Sequence, residues 1–236
     1  MVKFKIKKGW FKHQTVDVPT SWDDISYNQF KNIIETENSE DIFKELTGLD
    51  YVYAPQIEPY LNFTLKDLDP TAIEPGNYIE IQGEIYQVPN IYERSYGEKI
   101  IFNLKKDVAE MCAIYLMPKF DGDKLKEFTE LVRTAKLTDL HAVCNNLKTQ
   151  MQELLKREES LLSGVVDVKQ KMAGIDKFGE LGEFNTVDKI AREYNYTHEQ
   201  VEQLNYNLVF LILRKQIISA NFEKSYRSVL KSFKNE

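Results

Sequence analysis

The sequence predicts an α+β chain that is predominantly helical, with a small N-terminal α+β domain carrying β-hairpins, a long central helix and a C-terminal helical pair. Three observations carry that prediction. Apolar residues alternate with polar ones near the N-terminus, which is the period of a half-exposed strand, and two further segments flank Gln82 and Gly83 at the spacing of a tight hairpin. From Thr138 they step by threes and fours over about three heptads, the signature of one long amphipathic helix. Beyond a glycine-containing stretch, Leu208, Val209, Phe210, Leu211, Ile212 and Leu213 stand in a row, and a helix apolar on every side needs partners on every side. These changes of pattern divide the chain into an α+β domain over 1–136, an amphipathic helix over 137–173, a linker over 174–184 and a C-terminal helical interaction segment over 185–236.

Each element has a local cause. Val2, Phe4 and Ile6 alternate with Lys3, Lys5 and Lys7, and Thr15 to Val18 can pair with them across a loop around Gly9 to His13. Lysines on the outer face guard that edge, and Pro19 ends it. Ser26 with Gln29 forms a capping-box pattern ahead of Phe30, Ile33 and Ile34, and a second helix fits Ser39 to Leu46 with Gly48 as its left-handed stop. Four prolines between Tyr51 and Pro75 predict short pieces and loop, and Trp22 reads as a core anchor. Tyr78 to Ile81 and Glu84 to Val88 flank Gln82 and Gly83 at the spacing of a tight hairpin, and Ile100 to Leu104 suits a third strand. A helix from Asp107 runs until Pro118 stops it, the Asp121-Gly122-Asp123 turn follows, and Leu125, Phe128, Leu131 and Val132 mark another helix.

The central helix has a seam of Cys144, Leu147, Met151, Leu154, Glu158, Leu161 and Val165. Its length should be about 40 Å at a rise of about 1.5 Å per residue. Such a helix can pack on its own domain or cross to a neighbour; three heptads are the minimum length for the signal, so packing within the chain is the favoured use of the seam. Glu158 falls in its apolar phase, which calls for a partner lysine or a break. Gly164 can bend this helix, and Gly174, Gly179 and Gly182, with Asp176 and Lys177, make the interdomain linker. Thr186 can cap a helix bearing Val187, Ile190, Ala191 and Tyr194. Thr197 with Gln200 repeats the capping box for a last helix through Val201, Leu204, Leu208, Leu211, Ile212, Ile217, Phe222, Tyr226 and Val229.

Composition narrows the function classes. At 42% hydrophobic and 29% charged the 236 residues can build a sizeable core, and thirteen Tyr and thirteen Phe suit core edges and protein interfaces. The net charge of −6 gives no general attraction to nucleic acid, yet it is unevenly spread. Residues 1–13 hold five lysines and no acid, and from Arg214 onward six basic residues face two acidic ones, so the middle is acidic. Cys112 and Cys144, far apart, suit a reducing compartment. Met1 to Lys8 lacks the apolar region of a secretory signal, and the Leu208 to Leu213 run is far short of a membrane span. Together these predict a cytoplasmic product with no membrane partner.

No catalytic or cofactor constellation is recognisable. His13, His141 and His198 stand singly, no glycine-rich loop follows a strand, and Asp121 and Asp123 are followed by Lys124 and Lys126 instead of further calcium ligands. Adjacent acids such as Asp23 with Asp24, or Glu158 with Glu159, are ordinary on solvated surfaces. The stretch from Thr186 to Leu213 has the cadence of a helix-turn-helix, which makes DNA binding a rival reading. Its second helix opens with Thr197, His198, Glu199, Gln200, Glu202 and Gln203, however, and two acids without Lys or Arg repel phosphates. Nucleic acid is therefore not expected through a specific motif.

Several phrases carry a resemblance. Val18-Pro-Thr-Ser-Trp22 with Asp24-Ile25 and Phe30, Glu45-Leu-Thr-Gly-Leu49, Tyr96-Gly-Glu98 ahead of Ala113-Ile-Tyr-Leu-Met-Pro118, and Ile190-Ala-Arg-Glu-Tyr194 leading to Leu204-Asn-Tyr206 span most of the chain. Together they resemble tailed-bacteriophage proteins of the tail and tail-assembly-chaperone kind, especially those of crAss-like phages. The resemblance implies a non-enzymatic protein, without cofactor or metal, that docks its C-terminal helices on other phage neck or tail proteins in the virion, after assembly in the host cytoplasm. The long helix from Thr138 to Gly164 exceeds what a small chaperone needs, so the first expectation is a neck or tail ring or tail-lumen component. A transient tail assembly chaperone absent from the mature virion is the alternative. Homo-oligomers follow naturally from unpartnered apolar helices. The expected contact residues are Leu208, Phe210, Ile212, Ile217, Phe222 and Tyr226, with the Leu147, Met151 and Leu154 seam second.

Overall fold

A computed structural model describes residues 1–8, 12–36, 38–65, 68–162 and 181–234. Residues 9–11 of the first loop, Gly164 and Val165 of the central helix, its predicted extension to 173, and Gly174, Asp176, Lys177 and Gly179 of the linker lie outside the described residues. The architecture is α+β and mostly helical, with two antiparallel two-stranded sheets, a long helix and a C-terminal helical pair, as the sequence predicts. The chain divides into two compact units: Met1–Val88 with Lys105–Leu147, and Pro89–Leu104 with Lys148–Glu236.

The first unit opens with β1 (Val2–Lys8) and β2 (Lys12–Val18) in a register that sets Val2 opposite Val18 and Phe4 opposite Val16. Ile6, Val16 and Val18 are buried while Lys3 and Lys5 stay exposed, so the alternation in sequence becomes a two-faced hairpin. The capping box at Ser26 is formed: its hydroxyl accepts from the Gln29 amide at 3.2 Å and its own amide donates to Gln29 Oε1 at 3.0 Å, starting α1 (Tyr27–Glu35). α2 (Ser39–Thr47) ends at Gly48, whose φ of +68° lets its amide reach the Lys44 carbonyl at 2.7 Å. The proline-rich stretch breaks into 3-10 turns around a four-residue α3 (Ala54–Ile57), and Trp22 lies edge-on to Phe30 and Phe63. β3 (Tyr78–Ile81) and β4 (Glu84–Gln87) meet at Gln82 and Gly83, both at positive φ, which is the geometry of a two-residue hairpin turn.

Ile100 to Leu104 form no strand: they belong to a helix, α4 (Tyr96–Leu104), in the second unit. The cause is a second capping box, in which Ser95 donates its amide to Glu98 Oε2 at 2.7 Å and accepts from the Glu98 amide at 3.2 Å. Back in the first unit, α5 (Val108–Leu116) is capped by Asp107 and buried along nearly all its length, and it packs on α6 (Leu125–Val132). α7 (Leu137–Leu162) passes from one unit to the other. In the first unit Leu137, Leu140, Val143, Cys144 and Leu147 fill its core, and Asn145 ties the helix to the Pro70 and Ile73 carbonyls at 2.8 Å each.

The second unit is completed by α8 (Glu183–Tyr194), α9 (His198–Gln203) and α10 (Tyr206–Lys234). Thr186 does not cap α8; the helix begins earlier, after Gly182 at φ +48°, so Thr186 lies inside it. Asn195, at φ +53°, closes α8, and the Thr197–Gln200 capping box starts α9 as predicted. The single last helix of the sequence reading is two helices. Leu204 is extended, Asn205 bridges Ser95, the Tyr96 amide donates to the Leu204 carbonyl at 2.8 Å, and the Tyr206 amide donates to the Arg94 carbonyl at 2.8 Å. Backbone groups that a continuous helix would satisfy internally are satisfied across the unit instead.

Candidate interaction surface

What anchors α10 is a charged centre inside the second unit. Lys99, only 2% exposed, donates to Glu158 Oε1 at 2.7 Å and Glu183 Oε1 at 2.9 Å. Its ammonium also lies 5.2 Å from the Tyr96 ring centroid and 5.6 Å from that of Tyr206. The Tyr206 hydroxyl donates to Glu158 at 3.1 Å, and the Tyr96 hydroxyl donates to Glu183. Burial, with Glu183 beside Tyr96 and Glu158 beside Tyr206, pushes both phenols above the ordinary tyrosine range. One lysine thus joins α4, α7, α8 and α10, and it is the partner that Glu158 demanded from its place in the apolar seam. Glu183 and the tyrosines carried no comparable signal, because nothing in linear spacing brings them to Lys99.

Around this centre the first turns of α10 are spent on the unit itself. Tyr206, Val209, Phe210 and Ile212 are buried, Phe210 beneath the Arg157 guanidinium at 4.2 Å, and Ile217 is half-buried. Met151 and Leu154 are buried in the second unit and Leu147 in the first, so the seam serves each unit's own core. Of the residues expected to make contacts, Leu208, Phe222 and Tyr226 are exposed, the last two at 66% and 54%.

Those three belong to a longer feature. Leu208, Leu211, Ile218, Phe222, Tyr226, Val229, Leu230 and Phe233 are all exposed, Phe233 at 71%. At 3.6 residues per turn they fall within about a third of the helix circumference and extend over about 38 Å. Phe222 and Tyr226 stack, with centroids 6.0 Å apart and planes 8° from parallel. Lys215 interrupts the stripe, while Lys224 and Arg227 are exposed on the opposite side. The row of six apolar residues in the sequence therefore serves two surfaces, one turned into the unit and one left open.

The helix-turn-helix cadence is occupied by α8 and α9. Glu199, Gln200, Glu202 and Gln203 are exposed, and α4 approaches so closely that a Cβ at Gly97 would lie 3.1 Å from that of Glu202. Among the described residues no cluster of three or more His, Cys, Asp or Glu is placed to hold a metal ion, and no helix is long and apolar enough to cross a membrane. No protein-family model, curated protein or solved structure matches the chain.

Proposed function

We propose that this chain is a non-enzymatic assembly protein that acts through the exposed stripe of α10, and that its setting is the neck or tail of a bacteriophage particle. The observation that carries the first part is the stripe itself. Eight apolar side chains open to solvent on one face exceed the scattered hydrophobes of an ordinary surface, and such faces are normally covered by another protein. Covering each of them contributes on the order of 1.5 to 3 kcal/mol relative to exposure. The phage setting is supported by the short phrases from Val18 to Trp22, Glu45 to Leu49, Ala113 to Pro118 and Ile190 to Tyr194.

The test is the mass of the purified chain in solution beside that of Phe222→Asp. Phe222 lies outside the core, so the variant should fold as the parent does. A multimeric parent and a monomeric variant are expected; a monomeric parent that also captures no neck or tail protein would overturn the reading. Quantitative mass spectrometry of purified particles then separates a resident component, present in stoichiometric amount, from an assembly chaperone, which would be absent.

A further inference from the structure

The first unit carries a surface that is apolar like the stripe of α10 and opposite to it in charge. α2, α3 and the 3-10 turns around them enclose a cavity of about 570 Å³, lined by Ile42, Phe43, Leu46, Tyr51, Pro55 and Leu61, with Glu58 at its edge. Val52, next in the chain to the lining residue Tyr51, is 76% exposed. The neighbouring depression between α1 and α2 is lined by Glu35, Asp41 and Glu45. From Ser26 to Asn62 the chain holds seven acidic residues against Lys31 and Lys44, a net charge of −5. α10 holds six basic residues against Glu223 alone, a net +5.

A second apolar cavity of the same unit, about 780 Å³, is larger but carries Lys119 and Lys124 at its edge with Asp121 and Glu127. Its balanced charge offers a basic helix no comparable attraction. Size favours this second cavity and electrostatics the first; for two oppositely charged surfaces the electrostatic term guides encounter and orientation.

We infer that the α2–α3 cavity receives the Phe222–Tyr226 pair of α10 from a second copy of the chain, as a helix laid in a groove. The contact is head-to-tail: each copy offers one helix and one groove, so copies add until a ring closes or a filament grows. The inference rests on the assembly reading above and names the surface that covers the stripe.

Two variants distinguish this arrangement from pairing of two α10 helices. One, Phe222→Asp with Tyr226→Asp, spoils the helix and keeps the groove; the other, Asp41→Lys with Glu58→Lys, spoils the groove and keeps the helix. All four positions are exposed, and circular dichroism with thermal melting checks that both proteins fold. Each alone should be monomeric by light scattering, and an equal mixture should form a 1:1 dimer and stop there. If the groove variant assembles like the parent, or the mixture of folded variants stays monomeric, the inference is overturned. A monomeric parent overturns the inference, and one that also captures no neck or tail protein overturns the assembly reading itself. So does parent chain that stays monomeric yet binds phosphatidylserine vesicles, which would make the stripe a membrane-surface helix.

Should either charge variant fail to fold, a chain carrying Tyr226→Cys is mixed with one carrying Val52→Cys under mild oxidation. Cys112 and Cys144 are both buried, so a cross-linked heterodimer reports the new pair. Abundant heterodimer is expected. Its absence while the same chains remain multimeric would also overturn the inference.

Discussion

Lys99 concentrates the residue-scale physics of the second unit. An ammonium removed from water is costly unless several partners meet it, and Glu158, Glu183 and two tyrosine rings do so here. Replacing it by Met should leave two carboxylates facing each other and cost about 3 kcal/mol, the lower end for a broken buried pair because both carboxylates are partly exposed. Urea unfolding followed by tyrosine fluorescence measures that loss. Adding Glu158→Gln to Lys99→Met should recover part of it. In the first unit, burial with Asp107 alongside pushes the Tyr27 phenol up to about 12, from an ordinary value of 10.0. The folded chain then keeps a proton that the unfolded chain begins to release near pH 10. The stability from this group is complete below pH 10 and falls as pH rises towards 12. A Tyr27→Phe variant should show a shallower alkaline loss in denaturation midpoints measured across that window.

At the scale of elements, helix ends and close approaches decide the second unit. A Cβ at Gly97 would lie 3.1 Å from the Glu202 Cβ and 3.2 Å from its carbonyl oxygen, so α4 and α9 meet at a close approach that a larger residue would have to push apart. Gly97→Val should push α9 away, so that amide hydrogen exchange accelerates at residues 198–203 while the α1 and α5 amides keep their protection. Capping patterns were the most legible signals in the chain. Ser26 with Gln29, Thr197 with Gln200 and Gly48 all act as their residue types dictate, because a cap is a contact between near neighbours and needs no tertiary information. The same pattern at Ser95 and Glu98 was present but obscured by the β-branched pair Ile100 and Ile101, which suits a strand as well as a buried helix. The break at Leu204 and Asn205 had no such local sign. It depends on a bridge to Ser95, more than a hundred residues away in sequence.

For the whole molecule, charge separation between the acidic α1–α3 region and basic α10 implies assembly that responds to ionic strength. The rate of association should fall steeply between low salt and about 1 M, where the screening length is about 3 Å. Stopped-flow light scattering after dilution into each salt reads that rate, and a rate indifferent to salt would argue that apolar contact alone drives association. The assembled state should also protect α10 from Ile218 to Leu230 against hydrogen exchange, a segment whose side chains are exposed in the single chain.

Sequence by itself determined the class of fold, the hairpins, the helix caps at Ser26, Gly48 and Thr197 and the apolar row of the last helix, because these follow from period, propensity and contacts between neighbours. It also marked Glu158 as calling for either a partner lysine or a break in the seam. Only the tertiary structure decided that the cation is Lys99, that residues 89–104 pack with the C-terminal helices, and which side of α10 is left open. Those outcomes depend on residues far apart in the chain meeting in space, where burial and electrostatics act on distances that linear spacing does not encode.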